Sequence, residues 1–408
     1  MRVIQPAAAP LPTRRSCPFD PPQEYERLRE QEPVSRLAFP DGKIGWLLTR
    51  HEDVRAVLAD DRFSSDRMRA SSPVRRTAIR PEDRKARAGM LISLDPPEHT
   101  RYRRLLTRYF TVRRMRALAP RIEQIVADRL DAMESGGPPA DLVRAFALPI
   151  PSLVICELLG VPYTDRGMFQ GWTSTLLRLD VTDDEAFAAR DALQDYMLDL
   201  VAAKRAHHDD ALLSRLIAGE DQNGSDIALS DEELAGIGRL LLVAGHETTA
   251  NMLALGTYAL LCHPGQLKVL REDPASVDRA IEELLRYLTI VQFGPVRVAR
   301  EDVEIAGRTI RAGETVVASL SAANRDPEHF PRPADLDLAR ELNQHVAFGH
   351  GIHQCLGQQL ARTEMRVAFP ALFRRFPTLR LAVEPKRVPM RHDMFVYGVH
   401  ELPLTWDG

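Results

Sequence analysis

Cysteine is scarce and scattered, with four in 408 residues, at positions 17, 156, 262 and 355, and no CxxC pair. A thiol redox motif and a cysteine-rich zinc site are disfavoured by that spacing. The opening stretch MRVIQPAAAPLPTRR has no apolar core, so no secretory signal is read there. Thiols of a chain that is not exported stay reduced, which argues against a disulfide framework. Lysine is nearly missing as well: of 54 basic residues five are lysine, leaving 49 arginines. Excess charge is also lacking, since the formal net charge of −3 argues against binding polyanions over the whole surface. One window, Leu240–Cys262, is long enough to span a bilayer, but it carries His246, Glu247 and Asn251. Charge at mid-membrane is costly, so the window reads as a buried helix of a soluble protein.

What is present is ordinary globular composition, 44% hydrophobic and 27% charged. The length allows two or three domains or one large α-rich body. A proline-rich arm (Pro6, Pro10, Pro12, Pro18, Pro21, Pro22) opens the chain. Val34–Phe39, the turn Pro40-Asp41-Gly42 and Ile44–Thr49 then read as a hairpin. Helical periodicity dominates from about Glu52 to Phe376, interrupted by a β patch between Val303 and Ser319, and the tail Phe395–Trp406 is β-prone. Gly136-Gly137-Pro138-Pro139 marks a loop rather than a boundary. The expected fold is mainly α with a minor β region (α+β), one domain over 1–408 with residues 1–25 as an extended arm.

The central helix is the firmest expectation. Ser230-Asp231-Glu232-Glu233 is a capping-box start, and Pro264 is the stop. Between them Leu234, Ile237, Leu241, Ala244, Thr248, Met252, Leu255, Ala259 and Cys262 recur at steps of three or four. Apolar residues on its other faces make it central.

Three constellations carry chemistry. Ala244-Gly245-His246-Glu247-Thr248-Thr249 puts a glycine, an acid and two hydroxyls in mid-helix. Glycine costs about 1 kcal/mol there, an unpaired buried carboxylate costs more, and such conflicts mark functional or strained sites. The structural alternative has both threonines bonding back to carbonyls four residues earlier and Glu247 in an ion pair. The second constellation runs from Phe348 to Gly357 (FGHGIHQCLG), with Cys355 just before a helix start at Gln358-Gln359-Leu360-Ala361-Arg362. Its glycines allow a tight turn and close backbone approach, and a thiolate at a helix N-terminus is a nucleophile or metal ligand. The run fails the dinucleotide fingerprint at its last position, and no strand precedes it. A hydrolase nucleophile and an inert buried cysteine stay open. The third is Glu283-Leu284-Leu285-Arg286, whose acid and base share a helix face.

In this order and at these distances the three motifs resemble the cytochrome P-450 family of haem-thiolate monooxygenases, over essentially the whole chain. Asp95-Pro96-Pro97-Glu98-His99-Thr100-Arg101, Asn324-Arg325-Asp326-Pro327 and Leu402-Pro403-Leu404-Thr405-Trp406 add to the likeness, which is closest to soluble actinobacterial members. The resemblance implies haem b as cofactor, with Cys355 as its metal-binding proximal thiolate. It implies four cationic contacts to the propionates, from His99, Arg103, Arg297 and His353. Thr248 and Glu247 then lie over the distal face and deliver protons. Glu283 and Arg286 become structural, joined by a further arginine, Arg340 first and Arg332 second.

The implied reaction inserts one oxygen atom of O2 into an apolar small molecule, by hydroxylation or epoxidation in natural-product tailoring or xenobiotic oxidation. Electrons come from a ferredoxin with its NAD(P)H-dependent reductase, since no flavin or nicotinamide domain is visible. The protein is expected to be a cytoplasmic monomer, with neither membrane nor nucleic acid as partner. Residues 98–116 hold seven arginines against one acid, and Arg104, Arg108 and Arg113 could steer an acidic ferredoxin. The family places pocket walls at Ser64–Ile92, Thr173–Leu200, Leu240–Ala244, Ile290–Phe293 and Met394–Tyr397. Within the first, the arginines at 67, 69, 75, 76 and 80 read as solvent-facing, with an acidic substrate group as the alternative. The rival class is a nucleic-acid-binding protein using the basic region 62–116, interleaved by Tyr102, Tyr109 and Phe110.

Overall fold

In the computed structural model the Ser230 hydroxyl accepts from the Glu233 amide at 3.2 Å, and the Glu233 carboxylate accepts from the Ser230 amide at 2.8 Å. Two of the amides that a helix start leaves unmatched are so satisfied. From this box a helix runs Asp231–Cys262, 32 residues, about 48 Å at the usual rise. Pro264 opens the next helix, Pro264–Glu272. Glu233 is anchored again by the Tyr102 hydroxyl at 2.5 Å and by an ion pair with Arg101. One turn on, a Cβ at Gly236 would lie 1.8 Å from the Ala88 carbonyl oxygen, so only glycine admits that backbone approach.

The structure describes residues 8–75, 80, 87–219, 228–341 and 344–407. The chain packs as two compact units, 1–77 with 259–358 and 395–398, and 78–258 with 359–394 and 399–408. The first holds a five-stranded sheet. The expected hairpin pairs Val34–Ala38 with Ile44–Leu48, Val34 opposite Leu48. Thr315–Ala318 runs parallel beside the second of these, Val296–Ala299 pairs antiparallel with Thr315–Ala318, and Phe63–Ser64 closes the order. Val34, Trp46, Leu48, Val54, Phe63 and Val316 pack into its core. Trp46 keeps its indole N–H satisfied by donating to Glu314 at 2.6 Å, and Arg36 pairs with the same carboxylate at 3.1 Å. The arm lies along this unit: Ala9 bridges Leu37, and the Arg15 guanidinium stacks 3.9 Å from the Tyr397 ring centre while donating to the Asp20 carbonyl.

The second unit is mostly helical, with Ala119–Gly136, Pro149–Leu159, Arg166–Leu177, Asp183–Ala206, most of the long helix and Gln358–Arg375. A small sheet places Pro403–Thr405 between Ala140–Asp141 and Arg380–Leu381. Helix dominates with minor sheet, as expected. Phe63–Ser64 and Ala140–Asp141 were not expected, because two residues leave no alternation to read.

Arg286 is fully buried in the first unit and every donor of its guanidinium is used. It makes a two-pronged bond to Glu283 at 2.8 and 2.7 Å and reaches the carbonyls of Asn324, Pro333 and Asp335 at 2.8, 2.9 and 3.0 Å. Glu283 also accepts from the Asp337 amide and from Arg340 Nε, each at 3.0 Å. Arg340 is thus the third member, whereas Arg332 is exposed and pairs only with Asp335 and Asp337 at 3.8 and 4.0 Å. Arg286→Ala leaves a buried carboxylate and three carbonyls short of donors, an expected loss of about 3–5 kcal/mol. Arg332→Ala stays within about 0.5 kcal/mol, and urea denaturation of the two variants checks the contrast.

Candidate active site

Midway along the Asp231–Cys262 helix one face stays open. Ala244 is exposed and Leu240, Val243 and Thr248 are half-buried, although every residue from Thr249 to Leu260 is buried. Leu240, Ala244 and Thr248 follow steps of four, so the opening is a single stripe. The Thr248 hydroxyl donates to the Ala244 carbonyl at 2.8 Å, the back-bond of the structural alternative. With its proton committed there, the oxygen presents lone pairs to the open side.

Glu247 is turned the other way and buried. Arg391 pairs with it at 3.0 Å and with the Asn251 side-chain oxygen at 3.1 Å, while the Asn251 amide donates to the Glu247 carbonyl at 2.7 Å. The ion-pair half of the structural alternative is therefore also present. Arg391 was not read from the sequence, because nothing local links it to a partner 144 residues away. Its neighbours Asp393 and Met394 hold the end of Arg166–Leu177, through Leu179 N–H to the Asp393 carbonyl at 2.8 Å and the Arg178–Met394 bridge.

His246 is buried and fastens the same helix. A carbonyl can only accept, so Nδ1 carries the proton to Leu242 O at 2.6 Å and Nε2 receives the Thr173 hydroxyl at 3.2 Å. Burial lowers its pKa, so it is neutral and structural. Glu364, on Gln358–Arg375, was likewise missed. Burial pushes its carboxyl up to about 8, with the neighbouring Thr249 hydroxyl working the other way.

The loop bearing Cys355 closes through backbone bonds from Cys355 N to Phe348 O at 2.8 Å and from Gln354 N to Gly351 O at 3.0 Å. A single helical turn, Gly351–His353, lies inside it, and Gln358–Arg375 follows. Gly351 has φ +72°, and a Cβ there would sit 2.3 Å from Leu58 O, so the turn requires glycine. Residues 347–359 include no fully buried side chain, Cys355 and Phe348 among them. Added Cβ atoms at Gly349 and Gly357 would meet nothing within 4 Å. His353 is half-buried in the turn before Cys355, and Arg297 is buried on Val296–Ala299, bonding the Val296 carbonyl at 3.0 Å. His99 is buried and Arg103 half-buried, one turn apart on Glu98–Thr107.

These residues suit a flat metalloporphyrin. One thiolate and the porphyrin dianion cancel a ferric charge, leaving two carboxylates for the four cation-capable side chains. The open helix stripe belongs to the second unit and the uncovered Cys355 loop to the first. The sequence pattern of the cytochrome P450 family matches residues 172–404. Cytochrome P450-SU2 of Streptomyces griseolus is 50% identical over 407 residues, 99% of each chain. The chain belongs to the cytochrome P450 family. It is a monooxygenase of the kind that binds haem b through a cysteine thiolate. Pentalenic acid synthase of Streptomyces avermitilis is 48% identical over 404 residues, 98% of each. The crystal structure of CYP105P1 with filipin I superposes at TM-score 0.91, with 46% identity over 98% of this P450 and 99% of that chain. The nucleic-acid reading of 62–116 finds no support. Among the described residues no helix is long and apolar enough to cross a membrane.

The described loop arginines are exposed or half-buried, and Arg67 is exposed, as read. Arg69 is exposed and 3.9 Å from Asp66, as read. Arg80 instead makes two bonds to Asp191, at 2.9 and 2.8 Å, and stacks on Phe187. Arg75 has Nε and Nη1 shut off from water, and Arg76 lies outside the described residues. The Arg80–Asp191 pair stays at the surface, and Arg75 is half-buried.

Glu364 supplies a pH test. Its folded pKa, about 8, lies above the ordinary 4.5, so the folded chain keeps a proton that the unfolded chain releases. Stability therefore falls as pH rises through that window, by about 1.4 kcal/mol per unit from this group. Glu364→Gln removes the titration, and urea denaturation at pH 6 and 8 should show a correspondingly flatter profile.

Proposed function

We propose that Cys355 is the axial thiolate of the haem and that the whole chain works as one haem domain oxidising an apolar natural product. The observation that carries this is the open, glycine-turned loop that holds Cys355 ahead of the Gln358–Arg375 helix. His99, Arg103, Arg297 and His353 neutralise the propionates, the arginines through their planar fork. The haem, when bound, supplies dioxygen activation and the oxidising power. The protein supplies protons, positions and exclusion of water. Glu247, held by Arg391, helps pass protons in from solvent, and the Thr248 hydroxyl on the open stripe holds a proton donor or water.

The relatives support a bulky, largely apolar substrate, one being named for pentalenic acid and another having been crystallised with filipin I. Ile290 and Phe293, both buried, and Val291, half-buried, stand at the pocket-wall positions of the first unit and offer an apolar lining. Hydroxylation or epoxidation follows. Electrons reach the protein from a ferredoxin and its NAD(P)H-dependent reductase, in the cytoplasm, with the P450 as a monomer. Arg104 and Arg113 are exposed on the basic 98–116 stretch and Arg108 is half-buried beside Tyr109, a charge pattern that steers an acidic partner.

The reduced carbon monoxide complex of the purified protein tests the ligand. A strongly red-shifted Soret band is expected, and Cys355→Ser should lose it; a band that survives this substitution moves the ligand elsewhere. Thr248→Ala should retain haem and bind substrate while diverting reducing equivalents into hydrogen peroxide, measured as peroxide formed per NAD(P)H. Neutralising Arg104 and Arg113 together should slow reduction by ferredoxin at low salt and matter little at high salt; stopped-flow reduction reads both.

A further inference from the structure

At the entry to the Cys355 loop stands a histidine with both ring nitrogens engaged. The His345 side chain is 3% exposed. Its Nε2 lies 3.1 Å from Glu282 Oε2, a partner 63 positions away, and the Ala347 amide donates to Nδ1 at 3.1 Å. A backbone amide can only donate, so Nδ1 is the bare nitrogen and the proton sits on Nε2, facing the carboxylate. Glu282 therefore selects the tautomer, and the tautomer decides whether Ala347 finds its acceptor.

Both ends of this contact are fixed, and all of it lies in the first unit. Glu282 stands on the Val277–Leu288 helix, which Arg286 ties to the Asn324 carbonyl. Asn324 has a second hold on the loop. Its side-chain oxygen accepts from the Val346 amide at 2.8 Å, while its side-chain amide donates to the Thr289 hydroxyl at 2.8 Å. The Gly349 amide returns to the Val346 carbonyl at 2.8 Å. The amides of 346, 347 and 349 are thus each given a particular acceptor. Phe348, between them, presents the carbonyl that receives the Cys355 amide at 2.8 Å, and its ring lies 6.0 Å from that of His345. Of the three acceptors, Nδ1 of His345 is the one that depends on a proton placed by another residue.

We propose that Glu282 and His345 are positioning residues for the haem thiolate. The pair holds Ala347 and with it the Phe348 carbonyl, which aims the Cys355 amide and so sets the backbone dipoles around the sulfur. The proposal deepens the Cys355 reading above and rests on it. Groups one step behind a metal ligand orient it and tune its donor strength. Hydrogen bonding and solvent exposure at a haem ligand shift the potential of the iron. A pair serving packing alone would act on the stability of the chain without reaching the sulfur.

Three substitutions in the holoenzyme test this. His345→Phe keeps a ring and removes both nitrogens. His345→Asn retains an acceptor for the amide two residues on, as in an Asx turn, without the reach to Glu282. Glu282→Ala leaves the imidazole free to change tautomer. In His345→Phe and Glu282→Ala the Ala347 amide should exchange with deuterium about fivefold or more faster. The thiolate-type carbon monoxide band should decay about tenfold sooner, and the ferric–ferrous midpoint potential should move. His345→Asn should return all three toward the unmodified enzyme. Adding Glu282→Ala to it should change nothing further, because asparagine has no tautomer to select. A potential and a band lifetime unmoved by His345→Phe overturn the proposal. So does His345→Asn behaving like His345→Phe, which would leave only the packing of the ring. Should His345→Phe yield no holoenzyme, Glu282→Ala in the unmodified and His345→Asn backgrounds decides, and equal effects in both overturn the proposal. The unmodified enzyme separates the two levels: without a thiolate band there the haem reading itself fails, whereas a normal band that answers to neither residue removes only the positioning pair.

Discussion

Glu247 is carried into the interior on a helix surrounded almost entirely by apolar side chains, and a charge in that position has to be met by another. Arg391 meets it, with Asn251 holding both partners in place. Much else in the second unit is arranged around this contact. The segment bearing Arg391 is tied to the end of Arg166–Leu177, and the same helix is fastened to the central one through Thr173 and His246. The central helix can therefore leave Ala244 and Thr248 uncovered without losing its position. An acid at this point is tolerable only while its partner is in place.

The other buried charge cluster works differently. Arg286 and Glu283 use every donor and nearly every acceptor on fixed backbone and on Arg340, and none faces an opening. A fully satisfied network in low dielectric is rigid, and removing one member exposes the rest to desolvation without compensation. The segment from Asn324 to Arg340, which has little regular structure, takes its shape from serving as the acceptor shell of one guanidinium. In the Glu247 cluster Arg391 still has a buried Nε with no acceptor. Satisfaction there is incomplete, against completeness at Arg286.

Much of this was legible in the sequence wherever the determining interactions are local. The hairpin at Val34–Leu48 follows from alternation around Pro40-Asp41-Gly42, and the helix start at Ser230 from a capping box four residues long. The Cys355 loop and Glu283-Leu284-Leu285-Arg286 are contiguous, so their spacing survives in the linear text, and the family resemblance put Arg340 ahead of Arg332 as the third member. Arg391 and Glu364 were not legible. Each acts through a partner more than a hundred residues away, and a single arginine or glutamate among so many carries no mark of its burial. The loop arginines show the same limit from the other side: composition makes them look solvated, and only packing separates Arg69 from Arg75.

The N-terminal arm carries a practical consequence for building self-sufficient catalysts. Ala9 pairs with the edge of the hairpin, and Arg15 lies flat on Tyr397, two residues after Phe395. The arm is a brace for the hairpin edge and the Tyr397 segment rather than a tether. An electron-donor domain spliced in by cutting between residues 9 and 20 removes that brace, whereas one attached ahead of Ala9 leaves it intact. The opposite end is no freer, because Pro403–Thr405 is the middle strand of its sheet. Linkers at either terminus must therefore be added to the chain, not carved from it.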